Sequence, residues 1–314
     1  MGSPSKGILQ RLRPIFFAGD AWRWIWQILL YIPIVMFGTG LIVGPIVLFM
    51  LELGWLPPTR GPVVGWWPTL IVTFLYLVGL AAVVFTTHWA QFWLRRSSLG
   101  NLGLNLRAGW LRDLLLGCGL GALLIAISVS LSWLMGWYHP VGFAWQYRPL
   151  SELLPALVMS LLPNVQAGLL EEVAYRGYLL QVMLSRWNVP VAVLATSFLF
   201  ALSHLANPEQ DYPTWMVLVS LTVSGLVFAQ AYLVRRTLWL PIGLHFAYDW
   251  LVSLVGEVGR GPEDAVFLVT QASGPPLLQG PHFAGMGLFD LIGLAVVALI
   301  LWRLGRRPTG RASS

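Results

Sequence analysis

Long apolar runs, separated by short polar connections, are the dominant pattern in this sequence. A helix needs about 20 mostly apolar residues to cross the hydrocarbon core of a bilayer. Eight runs approach or exceed that length, the fifth and seventh being short: 26–53, 64–86, 114–135, 153–184, 189–205, 215–234, 240–255 and 283–302. In the fourth run we expect Pro155 and Pro163 to bend or break the helix early. The pattern predicts an all-α fold, a polytopic transmembrane helix bundle of about eight spans.

The composition also indicates an integral membrane protein. Hydrophobic residues make up 57% of the 314 positions and charged residues 10%, whereas an ordinary soluble domain has about 25% charged residues. The single cysteine, Cys118, excludes an intrachain disulfide and a metal site built from several cysteines. The short connections favour a bacterial plasma membrane.

The basic residues lie mainly on alternate connections. If the N-terminus is cytoplasmic and each run crosses once, only Arg60, Arg148 and Arg260 of the 19 Lys and Arg residues fall outside. This asymmetry is the one expected from the positive-inside rule, and it predicts that both termini are cytoplasmic. The net charge of +6 is therefore explained by topology. We expect the lipid bilayer to be a partner and nucleic acid not to be one.

The runs divide the chain into four parts. Residues 1–25 form a basic cytoplasmic N-terminus, and residues 26–150 contain the N-terminal spans. Residues 151–255 contain the polar groups of chemical interest. Residues 256–314 comprise a Gly- and Pro-rich outside loop, expected to be exposed and mobile, followed by the last span and a basic C-terminus.

Two glutamates and an arginine interrupt the fourth run. A charged side chain at mid-bilayer costs roughly 2.5–3.5 kcal/mol on insertion scales, so such groups usually mark a functional site. Glu172 and Arg176 are four residues apart with the acid first, which favours an ion pair. Glu171 points about 100° away on the helix. We interpret Glu172 and Arg176 as structural support and Glu171 as the group free for chemistry.

Two further apolar helices each carry a histidine. His204 ends the fifth run, and His245 and Asp249 share one face of the seventh. A carboxylate with an imidazole can activate water, and a second imidazole can stabilise an oxyanion. Glu171, His204, His245 and Asp249 could instead hold a divalent metal such as zinc. We discount Ser203 as a nucleophile, because side chains at neighbouring helical positions diverge.

Three motifs in order resemble those of the CPBP family, which comprises CAAX prenyl endopeptidases and bacteriocin-processing or immunity proteins, also called Abi proteins. They are Glu171-Glu172-x-x-x-Arg176, Phe200-x-x-x-His204 and His245-x-x-x-Asp249. The resemblance covers about residues 150–255 and implies an intramembrane endopeptidase acting on a peptide or a membrane protein. The first three spans match only in hydropathy.

The resemblance also implies roles for individual residues. Glu171 and His204 would activate water, His245 and Asp249 would form the oxyanion site, and Phe200 would support the second motif. Family members often carry Asn at the last position, and an ionised Asp cannot donate a hydrogen bond. Asp249 is therefore expected to orient His245 or to ligate a metal. The family is described both as metal-dependent and as using a metal-free glutamate mechanism, so no cofactor is assigned with certainty.

Two other functions remain open from the sequence. A non-catalytic bacteriocin-immunity or binding protein could use the same scaffold, although the complete set of four catalytic-type residues favours an enzyme. A transporter could use buried Glu, Arg and His as an ion relay. The sequence shows no repeat halves or paired broken helices, which disfavours a transporter.

Overall fold

The computed structural model describes residues 20–56, 65–206, 212–255, 265–280 and 286–306. Most of the basic N-terminus, the basic C-terminal tail, Arg60 and Arg260 lie outside the described residues. The helices are α1 (Asp20–Glu52), α2 (Trp66–Ala90), α3 (Trp110–Leu134), α4 (Leu150–Glu172), α5 (Leu180–Leu184), α6 (Val189–Ser203), α7 (Thr214–Arg235), α8 (Trp239–Val255), α9 (Pro276–Gln279) and α10 (Leu288–Arg306). The strands are β1 (Tyr138–Phe143) and β2 (Leu268–Ala272).

The helices form an all-α bundle with apolar surfaces. By length and composition, six of the described helices could cross a membrane: α1, α2, α3, the continuous α4–α5 helix, α7 and α10. Helix α6 is apolar but has only 15 residues, and α8 has 17. Both are short, as their runs in the sequence predict. The number of spans and the orientation of the termini remain predictions.

Helices α1 and α2 pack in opposite directions, as consecutive spans require. Near the middle of the pair, the Thr39 and Thr86 hydroxyls are 3.1 Å apart. Towards one end, Gln27 Nε2 donates to the Leu94 carbonyl over 3.0 Å. Leu94 lies in a short π-helical segment, Gln91–Arg95, that continues α2.

Three of the predicted cytoplasmic segments meet at one end of the bundle. Arg235, at the end of α7, lies 3.4 Å from the Asp113 carboxylate at the start of α3. Arg107 Nη2 donates to the Arg235 carbonyl over 2.8 Å. A Cβ added at Gly305, near the end of α10, would lie 3.4 Å from Val234. The basic connections therefore share one end, as the alternation of charge predicts.

A two-stranded sheet joins two of the predicted outside connections. Strands β1 and β2 pair antiparallel, with Tyr138 opposite Ala272 and Phe143 opposite Leu268. Burial raises the pKa of Tyr138 to about 12, so its hydroxyl remains a donor to the Val255 carbonyl, 3.1 Å away. Part of the predicted outside loop is thus a paired strand, which was not predicted because backbone pairing between distant segments has no strong local signal in the sequence.

The fourth run also differs from expectation. Pro155 and Pro163 lie inside α4, which continues through them to Glu172. The irregularity comes instead at Val173–Leu179, a π-helical segment that leads into α5. Such segments occur frequently at functional sites, and this one begins directly after the two glutamates.

Glycines allow α3 and α8 to pack with their backbones almost in contact. A Cβ added at Gly117 would lie 2.2 Å from the Leu240 carbonyl oxygen, and one at Gly121 would lie 2.5 Å from that of Leu244. The contact is reciprocal, since a Cβ at Gly243 would lie 2.1 Å from the Leu114 oxygen. The two helices run parallel, as the third and seventh spans of an alternating bundle must. This packing fixes the helix that carries His245.

We expect Gly243→Ala to destabilise the protein, because a backbone oxygen cannot move aside for the added methyl group. Overpacking of this kind costs about 1–3 kcal/mol. Gly119→Ala is the matched control on α3, since a Cβ there meets no atom within 4 Å. Thermal unfolding in detergent, followed by tryptophan fluorescence, measures both. Equal unfolding temperatures for the two variants would contradict the close α3–α8 packing.

The predicted topology can be tested with fusion reporters. Reporters placed after Arg96 and Arg236 should report the cytoplasm, because these positions belong to the basic end of the bundle. A reporter at Gly274, just after β2, should report the opposite side. A cytoplasmic signal at Gly274 would contradict the eight-span arrangement.

Candidate active site

The Glu172 carboxylate lies at the centre of the polar residues and holds two partners. Its side chain is 0% exposed, and its Oε1 atom accepts a 2.7 Å hydrogen bond from Arg176 Nη1. The same oxygen lies 2.9 Å from His245 Nδ1, on α8. The Glu172–Arg176 pair is the one that helical spacing predicts. The bond to His245 was not predicted, because 73 residues separate the partners.

Arg176 is buried beside aromatic rings rather than beside water. Its guanidinium carbon lies 4.7 Å from the centre of the Phe200 ring and 5.1 Å from that of Phe228, an arrangement that favours the cation. Arg176 Nη2 also donates to the Gly225 carbonyl over 3.3 Å. A Cβ at Gly225 would lie 2.7 Å from Ser197 Cβ, so glycine allows α7 to approach α6 here. Phe200, which was expected to support the second motif, thus makes a cation–π contact with Arg176.

His245 has a carboxylate oxygen at each ring nitrogen. Glu172 faces Nδ1, and Asp249 Oδ2 lies 3.2 Å from Nε2. Because ionised carboxylates only accept hydrogen bonds, both contacts are satisfied when both ring nitrogens carry a proton. The Phe228 ring stacks on the imidazole at 4.7 Å between centroids. The sequence offered no signal for Phe228, an apolar residue in an apolar helix.

Glu171 lies beside both histidines and is partly open. Its side chain is 30% exposed, in contrast to that of Glu172. The Oε2 atom is 3.7 Å from His204 Nε2 and 3.9 Å from His245 Nε2. Both distances exceed a direct hydrogen bond. The structure therefore brings the four predicted residues, Glu171, His204, His245 and Asp249, together in one place.

The backbone of α6 fixes the ring of His204. Its Nδ1 atom lies 2.8 Å from the Phe200 carbonyl oxygen. A carbonyl can only accept, so Nδ1 carries a proton, and in the neutral ring Nε2 presents its lone pair towards Glu171. His204 begins a short 3-10 turn, His204–Ala206, directly after α6. Its side chain is 22% exposed, so water can reach it.

Ser203 contacts the histidine that follows it, contrary to the expected divergence of their side chains. The Ser203 Oγ atom lies 3.3 Å from His204 Nδ1, the nitrogen that is bonded to the Phe200 carbonyl. Ser203 Oγ donates to that same carbonyl over 2.8 Å and accepts from the Tyr175 hydroxyl over 2.7 Å. A ring nitrogen that carries a proton cannot activate Ser203 as a nucleophile. The sequence analysis missed Tyr175, whose role depends on contact between two helices.

From the sequence, zinc is the metal that the same groups could hold. Zinc in proteins has three or four converging donors at about 2.0–2.3 Å. Within the part of the chain that the structure describes, no three His, Cys, Asp or Glu side chains form a group that could hold a metal ion. One reason lies in His245, whose ring nitrogens are both directed at carboxylates. The arrangement of the described residues therefore does not fit a zinc site.

Comparison with known proteins supports the resemblance found in the motifs. Residues 153–251 match the family model described as type II CAAX prenyl endopeptidase Rce1-like. The matched stretch contains all three motifs and leaves α1, α2 and α3 outside it. The resemblance to this protease family is therefore confirmed over these residues. No curated protein and no solved structure matches the chain.

The adjacent glutamates allow a matched comparison of two different roles. Glu172→Gln should lower the unfolding temperature strongly, because removing one partner of a buried ion pair costs about 3–5 kcal/mol. Glu171→Gln should unfold at nearly the same temperature as the unchanged protein, since Glu171 is partly exposed and has no arginine partner in the described structure. Thermal unfolding in detergent measures both variants. A Glu171→Gln protein as unstable as Glu172→Gln would contradict this division.

Proposed function

We propose that this chain is an intramembrane endopeptidase that hydrolyses a peptide bond near the membrane surface. The observation that carries the proposal is the position of Glu171 Oε2, 3.7 Å and 3.9 Å from the facing nitrogens of His204 and His245. The match of residues 153–251 to a protease family supports it independently. The substrate would be a peptide or another membrane protein.

The Glu171 Oε2–His204 Nε2 distance of 3.7 Å is longer than a direct hydrogen bond, and a water molecule beside the pair would join the two side chains. Polar atoms separated by more than 3.5 Å are commonly joined through water. Glu171 Oε2 is buried and has no hydrogen-bond partner within the described residues. A water between the two side chains would donate one hydrogen to the Glu171 carboxylate and the other to His204 Nε2. Glu171 is then the general base of the reaction.

Attack and charge stabilisation follow from this placement. The water oxygen forms a bond to the carbonyl carbon of the substrate while its proton passes to Glu171. The carbonyl oxygen becomes an oxyanion, which the positive charge of His245 would stabilise, with Nε2–H shared between Asp249 and the oxyanion. Glu172 and Asp249 keep the imidazole oriented and protonated. Asp249 therefore acts on the oxyanion through His245 and not as a direct donor.

The second step returns the proton. When the tetrahedral intermediate collapses, the carbon–nitrogen bond breaks and Glu171 passes its proton to the leaving amine. The products are an amine and a carboxylic acid, which then loses its proton to water, and Glu171 is again ionised. These steps use only water and side chains of this chain. An opening of the site towards the cytoplasm would provide the water that hydrolysis consumes.

Purified protein in proteoliposomes should cleave members of a library of membrane-anchored peptides. Glu171→Gln and His204→Gln should each reduce the rate at least about 100-fold, since general acid–base groups contribute 10²–10⁴-fold. Cleavage products are identified by mass spectrometry. Gly119→Ala serves as the active control, because it lies in open space outside the site.

Three outcomes would change the proposal. A chelator should leave the rate unchanged; loss of activity that zinc restores would replace the metal-free mechanism. Specific peptide binding without cleavage, unaffected by Glu171→Gln, would favour the non-catalytic scaffold of the same family. Proton or ion flux through proteoliposomes that depends on Glu171 would favour a transporter.

A further inference from the structure

A hydrogen bond joins the turn that carries Glu171 to the turn that carries His204. The Tyr175 hydroxyl donates to Ser203 Oγ over 2.7 Å. Tyr175 lies four residues after Glu171 on the same helix, and Ser203 directly precedes His204. The two helices that hold the water-activating residues are therefore connected beside the site by a hydroxyl–hydroxyl bond.

The Ser203 hydroxyl is fixed on both sides. It accepts from Tyr175 and donates to the Phe200 carbonyl over 2.8 Å. The same carbonyl bonds His204 Nδ1 over 2.8 Å. Tyr175, Ser203 and the end of α6 thus form one hydrogen-bonded unit that ends at the imidazole ring. Displacing Ser203 would displace the ring with it.

We propose that Tyr175 and Ser203 are positioning residues that set the Glu171–His204 separation, observed at 3.7 Å. The proposal rests on the proposed function, in which a water must bridge this gap. A bridging water tolerates little change in the distance between its two partners. Neither hydroxyl touches the substrate in this mechanism, and both act through His204.

Tyr175→Phe is a clean test because it removes only the hydroxyl. The Tyr175 ring packs edge-on against Phe200 at 5.2 Å between centroids, and it lies 5.9 Å from the Arg176 guanidinium carbon. A phenylalanine keeps both contacts. Tyr232→Phe is the matched control, since its hydroxyl forms a 2.9 Å hydrogen bond with Gln181 Nε2, away from the catalytic groups.

In the cleavage assay, Tyr175→Phe and Ser203→Ala should each lower kcat about tenfold with KM unchanged, the scale expected for one lost hydrogen bond. The double variant should be no slower than Ser203→Ala alone, because Ser203→Ala already removes the bond that Tyr175→Phe removes. Ser203→Thr, which keeps a hydroxyl, should restore most of kcat. Tyr232→Phe should leave kcat unchanged. Additive losses, or a raised KM with normal kcat, would overturn the proposal.

A second measurement does not depend on catalysis. Cysteines are introduced as Glu171→Cys and His204→Cys in a Cys118→Ala chain, and a short bifunctional thiol reagent joins them. Adding Tyr175→Phe should slow this crosslinking several-fold, whereas adding Tyr232→Phe should not. An unchanged rate with Tyr175→Phe would reject the positioning role. If the chain cleaves no peptide but crosslinking slows as expected, the proposed function fails and the positioning role stands.

Discussion

The buried Glu172 carboxylate is the group on which the rest of the site depends. One oxygen binds Arg176 within its own helix and His245 across to α8, at 2.7 Å and 2.9 Å. An unpaired charge in this environment would be strongly destabilising. Arg176 compensates the buried charge of the Glu172 carboxylate, and the carboxylate in turn orients the His245 imidazole. Stability and orientation of the site therefore come from the same hydrogen bonds.

Close helix packing makes this arrangement possible. At Gly243 any side chain would collide with the α3 backbone, and at Gly225 it would collide with Ser197. The first contact fixes α8 and therefore His245. The second lets a backbone carbonyl of α7 reach Arg176. Small residues commonly serve this purpose between membrane helices, where direct packing replaces the hydrophobic effect as the driving force.

The two adjacent glutamates show how burial separates two roles of one residue type. Glu172 is fully enclosed, and its Oε1 atom is hydrogen-bonded to Arg176 and His245. Glu171 is 30% exposed and faces two imidazoles at distances longer than a direct hydrogen bond. A general base for hydrolysis must contact both water and substrate, so Glu171 cannot be fully buried as Glu172 is. Their opposite environments follow from the 100° turn between consecutive helical positions.

The sequence by itself determined the apolar bundle, the charged end of its helices and the pairs that lie one turn apart. Glu172 with Arg176 and His245 with Asp249 could be predicted because helical geometry alone brings such residues together. The tertiary structure decided the contacts between distant segments: His245 with Glu172, Phe228 with Arg176 and His245, Tyr175 with Ser203, and β1 with β2. These depend on how distant segments pack. Apolar surfaces in a bilayer attract one another with little specificity, so local sequence patterns do not specify which helix faces meet.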